Sequence, residues 1–292
     1  MKCNLCPRQC GAERTGTTGG GICRMPELPV VARAALHHWE EPPISGTRGS
    51  GTIFFSGCSL GCVFCQNEEI SHRDFGKTIS IERLGEICGE LAAQGAHNLN
   101  FVNPTHYAHV VRQVAENYPQ NIPVVWNSGG YDRLETLRSM DGLVDIYLPD
   151  LKYMDTSTAL RYSDAADYPE TAKAAIREMV RQTGPCQFDE DGLLKRGVII
   201  RHLILPGQLA GAKAVMDWAA GEFPAGTVLF SLMSQYTPWG RAVEFPEINR
   251  KLRKSEIRAA QTYMENLGLA GFSQEAESAQ REYTPSFDLT GI

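Results

Sequence analysis

The chain has 292 residues, of which 42% are hydrophobic and 21% charged, as in an ordinary folded protein. Its formal net charge of -6 at pH 7 gives no basic footprint, so the composition offers no electrostatic case for nucleic-acid binding. The sequence has no run of 18 apolar residues, and its first residues lack the apolar core of a signal peptide. We therefore expect a cytoplasmic protein with no membrane and no nucleic-acid partner.

The nine cysteines are odd in number and fall mostly into two groups, which indicates metal ligands in a reducing compartment and not a disulfide framework. The first group is Cys3, Cys6, Cys10 and Cys23, in a turn-rich segment with little apolar material. Four thiolates around a metal would supply the stability that this segment lacks. Zinc and a 4Fe-4S cluster both suit four cysteines, and the closeness of the first three slightly favours the cluster. Because four ligands leave no open position, this centre should be structural or electron-relaying.

Residues 1–50 are predicted to form this cysteine-rich segment and an extended connector, because residues 24–50 contain several prolines and glycines. His37 and His38 in the connector are expected to be exposed or to pack, with extra metal ligation as the alternative. Cys88 lies in an apolar helical pattern and is expected to be a small core residue.

Residues 51–292 alternate between short apolar runs and helical patterns, ending in a helix and a polar tail. The tail after Gly271 is expected to be loosely ordered or to cover the mouth of the domain. Six strands, each followed by a helix, favour parallel pairing of the strands through right-handed crossovers. The predicted fold class is therefore α/β, and the predicted architecture is a partial (β/α)6 barrel. The predicted strands are 52–55, 99–102, 124–126, 143–148, 198–205 and 227–232. The predicted helices are 80–93, 105–117, 132–139, 155–182 with a break near 168–169, one after residue 207, and 255–267.

The loop after the first predicted strand carries Cys58, Cys62 and Cys65. Three cysteines at this spacing can direct their sulfurs at one cubic iron–sulfur cluster while one iron keeps no protein ligand. Gly57 and Gly61 supply the backbone freedom that a tight loop needs. The close spacing and the glycines favour a metal site over three buried structural cysteines.

Polar residues follow each of the six predicted strands, where the chemistry of such folds gathers. Taken singly, most of them could cap a helix, form a turn, pair on the surface or fill the core. Six consecutive strand ends with polar clusters instead indicate a ligand site. These residues include Asn103, Ser128, Gly129, Asp150, Lys152, Arg201, His202 and Gln235.

The cluster loop has the pattern C-x3-C-x-aromatic-C and resembles that of the radical S-adenosylmethionine (SAM) enzymes. The whole chain looks like the uncharacterised branch of that superfamily that is similar to pyruvate formate-lyase activating enzyme. The resemblance implies a partial (β/α)6 radical SAM barrel with a small N-terminal four-cysteine metal-binding segment. The segments that carry it are 3–10, 54–67, 103–107, 145–153, 200–207 and 232–236.

The resemblance also implies which residues hold the cofactors. Cys58, Cys62 and Cys65 would hold a 4Fe-4S cluster whose fourth iron binds the amino and carboxylate groups of SAM. The other expected SAM contacts come from matching motifs: the D-x-K pair Asp150 and Lys152, the strand-five Arg201, the turn residues Ser128 and Gly129, and Gln235. One departure is Asn103, which stands near the place of a glutamate in the G-G-E-P segment of activating enzymes and lacks its charge.

The implied reaction is reductive cleavage of SAM to a 5'-deoxyadenosyl radical that abstracts a hydrogen atom, which makes the protein an oxidoreductase. A flavodoxin or ferredoxin is the expected one-electron donor. The leading substrate is a glycine of a partner protein, as for a glycyl-radical enzyme activating enzyme. The alternatives are radical modification of another peptide or small molecule, and a non-catalytic iron–sulfur redox protein.

Overall fold

The computed structural model describes residues 2–274 and 285–292, which form one α/β fold around a long sheet. The strands are β1 (Val30–His37), β2 (Ser50–Phe55), β3 (Lys77–Thr78), β4 (Leu99–Val102), β5 (Val124–Ser128), β6 (Ile146–Pro149), β7 (Gln187–Phe188), β8 (Leu194–Leu203), β9 (Leu229–Met233) and β10 (Gly271–Gln274). The α-helices are α1 (Pro42–Ser45), α2 (Glu68–Ser71), α3 (Ile81–Ala93), α4 (Ala108–Asn117), α5 (Leu134–Arg138), α6 (Thr156–Ser163), α7 (Tyr168–Thr183), α8 (Leu209–Glu222) and α9 (Lys254–Leu267).

The predicted fold class is confirmed, because the six expected strands are adjacent and parallel in the order β2-β4-β5-β6-β8-β9. All six residues of β2 are buried, as in strands covered on both faces. The predicted break in the 155–182 region separates α6 from α7. Asp164 takes a left-handed conformation after α6, and Pro169 stands in the first turn of α7, where its fixed φ fits a helix start.

The structure differs from the prediction in the connector, which contains β1 paired antiparallel with β2. Helix α1 lies between these two strands, and its Ile44 is fully buried. Ile44 packs in one apolar cluster with inward-facing residues of the parallel strands, among them Val125, Ile146 and Ile199. The chain between β1 and β2 therefore fills the lower part of the barrel interior.

The C-terminal residues 285–292 return to β1 at one edge of the sheet. The Leu289 amide donates to Ala32 O (3.1 Å) and the Ala34 amide to Thr290 O (2.9 Å). Of the predicted polar tail, 271–274 forms β10 at the other edge, and 275–284 lie outside the described residues. No helix in the described part of the chain has the length and apolar character needed to cross a membrane.

Candidate active site

A cavity of about 270 Å³ opens at the carboxyl ends of the parallel strands. Cys62, Cys65, Asp150, Lys152, Arg201 and Gln235, all predicted site residues, lie in its wall. Charged and polar neighbours from outside the predicted set include Glu40, Glu41, Gln66 and Asn127. Apolar residues such as Phe54, Phe64, Val102, Leu203 and Met233 cover much of the rest. The sequence-based expectation that strand ends converge on one pocket thus holds for this part of the set.

The cluster loop joins β2 to α2 and presents three hydrogen-bonded sulfurs. The Leu60 amide donates to Cys58 Sγ (3.4 Å), the Ser163 hydroxyl to Cys62 Sγ (3.0 Å) and the Ser71 hydroxyl to Cys65 Sγ (3.2 Å). Burial raises the pKa of the Cys65 thiol to about 12 and also raises the pKa of Cys62. Metal binding at these thiols must therefore release protons.

The donor set suits a cluster better than a single ion. Four thiolates around one zinc, each about 2.3 Å from it, bring their sulfurs within roughly 4 Å of each other. Structural zinc sites take four protein ligands, and the loop offers three sulfurs. Three sulfurs on one short loop, each already accepting a hydrogen bond, instead match the cysteine ligation of an iron–sulfur cluster.

An ion network crosses the cavity from β6 to β8. Asp150 accepts from Lys152 Nζ at 2.6 Å and from Arg201 at 2.8 Å, and each of the three side chains is less than a fifth exposed. Burial disfavours the charge of Asp150, but Arg201 and Lys152 outweigh it and hold the pKa of that carboxyl below its ordinary value. Likewise, burial opposes the charge on Lys152, yet Asp150 holds its pKa above the usual range. All three groups are therefore charged at neutral pH.

Two further members of this network were missed by sequence reasoning. Arg201 donates to Asn127 Oδ1 (2.7 Å), and Asn127 Nδ2 lies 3.3 Å from Glu40 Oε2. Glu40 Oε2 also lies 3.7 Å from Arg201 Nη1. The next residue, Glu41, accepts from the Ser231 hydroxyl (2.9 Å). Asn127 lies near the carboxyl end of β5 and could have been chosen from the sequence. No pattern in a proline-rich connector, by contrast, marks the acidic pair Glu40 and Glu41 as part of a cavity.

Three predicted SAM contacts make bonds within the protein and are absent from the cavity lining. Asn103, at φ 58°, donates through Nδ2 to Gly57 O (2.6 Å), and its Oδ1 lies 4.0 Å from Cys58 Sγ. The Ser128 hydroxyl donates to the buried Asp132 (2.5 Å), and Gly129 O accepts from the Tyr168 hydroxyl (2.9 Å). Their roles as SAM contacts stay predictions.

The three histidines considered from sequence differ in position, and His38 is exposed. His37 lines the cavity, and burial lowers its pKa. His202 is buried and its Nδ1 lies 2.7 Å from Leu151 O, so it occupies a satisfied core position. Cys88 is also fully buried, as the helical pattern predicts.

A tight turn holds the end of β5 against the end of β6, and it gives a testable prediction. Gly130 has φ 75°, and a Cβ placed there would clash with the Asp150 carbonyl oxygen. Gly142 has φ 80°, and a Cβ there would meet no atom within 4 Å, so this position isolates the cost of the backbone conformation. We expect Gly142→Ala to cost about 1 kcal/mol and Gly130→Ala about 1–3 kcal/mol more. Urea unfolding measures both, and equal losses would contradict the close packing of this turn.

The N-terminal four-cysteine segment folds back on itself beside the cluster loop. Lys2 and Glu13 form a bridge, the Cys3 amide donates to Ala12 O (2.9 Å), and Cys3 O accepts from the Gly11 amide (3.1 Å). Cys3, Cys6 and Cys23 are buried while Cys10 is exposed. Burial raises the pKa of the Cys6 thiol to about 11, and the Gln9 amide donates to Cys6 O (3.0 Å) in the turn that leads to Cys10.

Comparison with known proteins gives one family-model match and several solved structures of similar fold. Residues 45–165 match the family described as "4Fe-4S single cluster domain". Streptococcus suis SuiB bound to S-adenosylmethionine superposes with a TM-score of 0.51 at 14% identity, over 79% of this chain and 49% of that chain. A spore photoproduct lyase variant gives a TM-score of 0.51 at 10% identity, over 75% of this chain and 74% of that chain. The chain thus spans about half of the SuiB chain, and it shares with these structures an α/β fold with a mostly parallel sheet.

A closer relative defines the family. The uncharacterized protein MJ0674 of Methanocaldococcus jannaschii is 32% identical over 276 residues, which are 91% of this chain and 75% of the relative. The chain belongs to the family of that protein.

Proposed function

We propose that the protein is a radical SAM enzyme that cleaves SAM reductively at a 4Fe-4S cluster held by Cys58, Cys62 and Cys65. One observation carries this proposal: the cluster loop and the Asp150 ion network face the same cavity. The loop suits an iron–sulfur cluster, and the fold similarity to a SAM-bound protein supports SAM as the molecule beside it. When bound, the cluster would supply the electron that breaks the bond from sulfur to the 5' carbon of SAM.

The charges of the cavity support SAM as the cosubstrate. Three carboxyl side chains, from Glu40, Glu41 and Asp150, line the cavity together with two basic side chains, Lys152 and Arg201. SAM carries a sulfonium and an ammonium, which are positive, and a carboxylate, which is negative. Buried charges are favourable only when paired, and this wall offers partners of opposite sign to both kinds of group. Lys152 or Arg201 would bind the carboxylate, and Glu40 would face the positive groups.

The apolar part of the wall has a separate role. Phe54, Phe64 and Met233 line the cavity beside the ionic groups. They would keep water from a 5'-deoxyadenosyl radical formed there, so that it meets only the intended hydrogen atom.

Removing one charge tests the cosubstrate part of this proposal. Glu40→Gln keeps the shape of the side chain and removes its carboxylate. We expect SAM to bind roughly tenfold more weakly, about 1.4 kcal/mol, in a calorimetric titration of the cluster-loaded protein. Glu244→Gln, which alters an exposed pair with Arg241, should leave the affinity unchanged. Equal affinities for Glu40→Gln and the parent protein would remove Glu40 from the site.

For the hydrogen donor we propose a glycine of a partner protein, which would make this chain a glycyl-radical enzyme activating enzyme. The cavity opens at the carboxyl ends of the parallel strands, so a substrate residue that inserts from outside can reach a radical formed there. The chemistry consumes one electron, so a flavodoxin or ferredoxin completes the proposal as donor. Electron paramagnetic resonance of candidate partners after anaerobic incubation tests it: a stable protein radical is expected. A modified peptide or small molecule without such a radical would favour the alternative substrate class.

The rival hypothesis, from a different class of function, is that the protein is a non-catalytic iron–sulfur redox protein. It would bind its cluster and show no affinity for SAM. The calorimetric titration separates the two hypotheses, because only the enzyme binds SAM at the loaded cluster.

A further inference from the structure

The four N-terminal cysteines form a compact group that lies outside the cavity wall. Four residues in or beside this segment have positive φ, at Gln9, Gly11, Gly21 and Arg24, and these tight turns fold the chain around the sulfurs. A Cβ at Gly21 would lie 2.6 Å from Cys10 Sγ, so Cys10 packs directly against the turn that precedes Cys23. The turn before Cys23 is thereby brought back to Cys10.

A buried arginine joins this group to the rest of the fold. Arg14 is 1% exposed, and its Nη1 lies 3.5 Å from Cys3 Sγ. The same guanidinium donates to His106 O (2.7 Å) and to Pro26 O, which fixes it between the segment and the barrel. A fixed cation at this distance would offset part of the negative charge of a metal centre held by thiolates.

The spacing of the cysteines in the sequence distinguishes between zinc and a four-iron cluster, the two metal centres that four cysteines can hold. Cys3, Cys6 and Cys10 follow one another with two and three residues between them, whereas zinc sites of the ribbon type take their ligands as two C-x2-C pairs, and only one such pair occurs here. The Gly11 amide donates to Cys3 O (3.1 Å) and the Gln9 amide to Cys6 O (3.0 Å), which folds this run on itself, and Cys3, Cys6 and Cys23 are buried. A close run of cysteines of this kind matches the ligands of a cubic cluster, whose thiolates bind separate irons.

The segment also supports the cluster loop directly. The Arg8 guanidinium donates to Ser59 O (2.9 Å) and to Ser163 O (3.1 Å), so it joins the loop to the end of α6. Arg8 comes two residues after Cys6, and Ser59 directly follows Cys58. A metal that fixes the turn around Cys6 therefore also fixes the group that holds the start of the loop.

We propose that Cys3, Cys6, Cys10 and Cys23 bind a second four-iron cluster, and that Arg8 makes the folded segment a support for the loop carrying Cys58 and Cys62. The cluster has four protein ligands and no open iron, so it does not bind SAM. Its binding free energy stabilises a segment whose Ile22 is 46% exposed and which has little apolar core.

The first test uses the full chain with Cys58, Cys62 and Cys65 all replaced by alanine, reconstituted anaerobically with iron and sulfide in the presence of zinc. We expect about four irons and four sulfides per chain and a paramagnetic signal after reduction by dithionite, against about eight irons in the parent protein. Bound zinc, or a folded chain without iron, would overturn the proposal. This readout does not depend on SAM cleavage, so it stands even if the proposed function fails.

The second test concerns Arg8 as a positioning residue. In Arg8→Ala we expect the N-terminal cluster to remain while the cluster at the loop is lost or bound at less than half occupancy. Arg112→Ala, which removes an exposed guanidinium on α4, is the control and should keep both clusters. The triple alanine variant gives the spectrum of the N-terminal cluster alone. Subtracting that spectrum from the spectrum of the parent protein gives the signal of the loop cluster. Full loop occupancy in Arg8→Ala would exclude the supporting role.

Discussion

Replacing Cys62 by alanine is expected to remove the iron of the loop cluster, about four atoms per chain, and with it all SAM cleavage. Cys62 lies at the cavity wall, and the Ser163 hydroxyl donates to its sulfur. With this thiolate removed, two cysteines remain on the loop and a second iron loses its protein ligand. We expect cluster assembly at the loop to fail, with product formation falling below detection.

Cys88→Ala is the matched control for this prediction. Cys88 is as fully buried as any residue of the core, but it lies on α3 and away from the cavity wall. Its replacement should leave iron content and cleavage unchanged, at a small cost in stability. Iron analysis and product chromatography on both variants decide the matter. A Cys62→Ala protein that still cleaves SAM would show that the ligand assignment is wrong.

The largest expected effect on stability comes from Asp150→Asn. Asp150 pairs with both Lys152 and Arg201, and the variant leaves these two cations buried with one carboxylate fewer. Removing one member of a buried ion pair typically costs about 3–5 kcal/mol, and we expect a loss of this size in urea unfolding. Asp141→Asn breaks an exposed pair with Arg181 and should cost less than about 1 kcal/mol. If the two variants lose the same free energy of unfolding, the network of Asp150, Lys152 and Arg201 does not behave as a buried ion network.

The parent protein and Asp150→Asn together predict a pH dependence. The pKa of Asp150 lies below its ordinary value in the folded state, so its charge stabilises the fold at pH values above the pKa of the unfolded chain, about 3.9. This contribution is lost as the pH falls from there through the folded-state pKa. We therefore expect the difference in unfolding free energy between the parent protein and Asp150→Asn to be constant near neutral pH. It should shrink below about pH 4, and a difference that grew on acidification would contradict the depressed pKa.

Much of the fold could be predicted because parallel strands and their helices have strong local patterns. The apolar run in β2, the Ser80 cap of α3 and Pro169 at the start of α7 each specify structure through neighbours in sequence. Strand β1 could not be predicted in this way. It pairs with β2 at the edge of the sheet, and its prolines and glycines on either side indicate only an extended connector.

The candidate site likewise contains residues that could be predicted from the sequence and residues that could not. Cys62 and Asp150 follow recognisable strands and Arg201 lies near the end of β8, so the carboxyl-end rule brings them to one cavity. Glu40 reaches that cavity from the connector just before α1, whose Ile44 packs among the parallel strands through tertiary contacts. Ser128 lies at a strand end but outside the cavity lining, because its hydroxyl donates to Asp132. Position in a strand predicts proximity to the site, whereas the direction and partners of a side chain depend on packing.

The most direct test of the central claim is anaerobic incubation of the reconstituted protein with SAM and dithionite. The proposed function predicts release of 5'-deoxyadenosine and methionine in equal amounts, at a rate that depends on the loaded loop cluster. A protein with its loop cluster present, verified by iron analysis and spectroscopy, that neither binds SAM nor releases these products would contradict it.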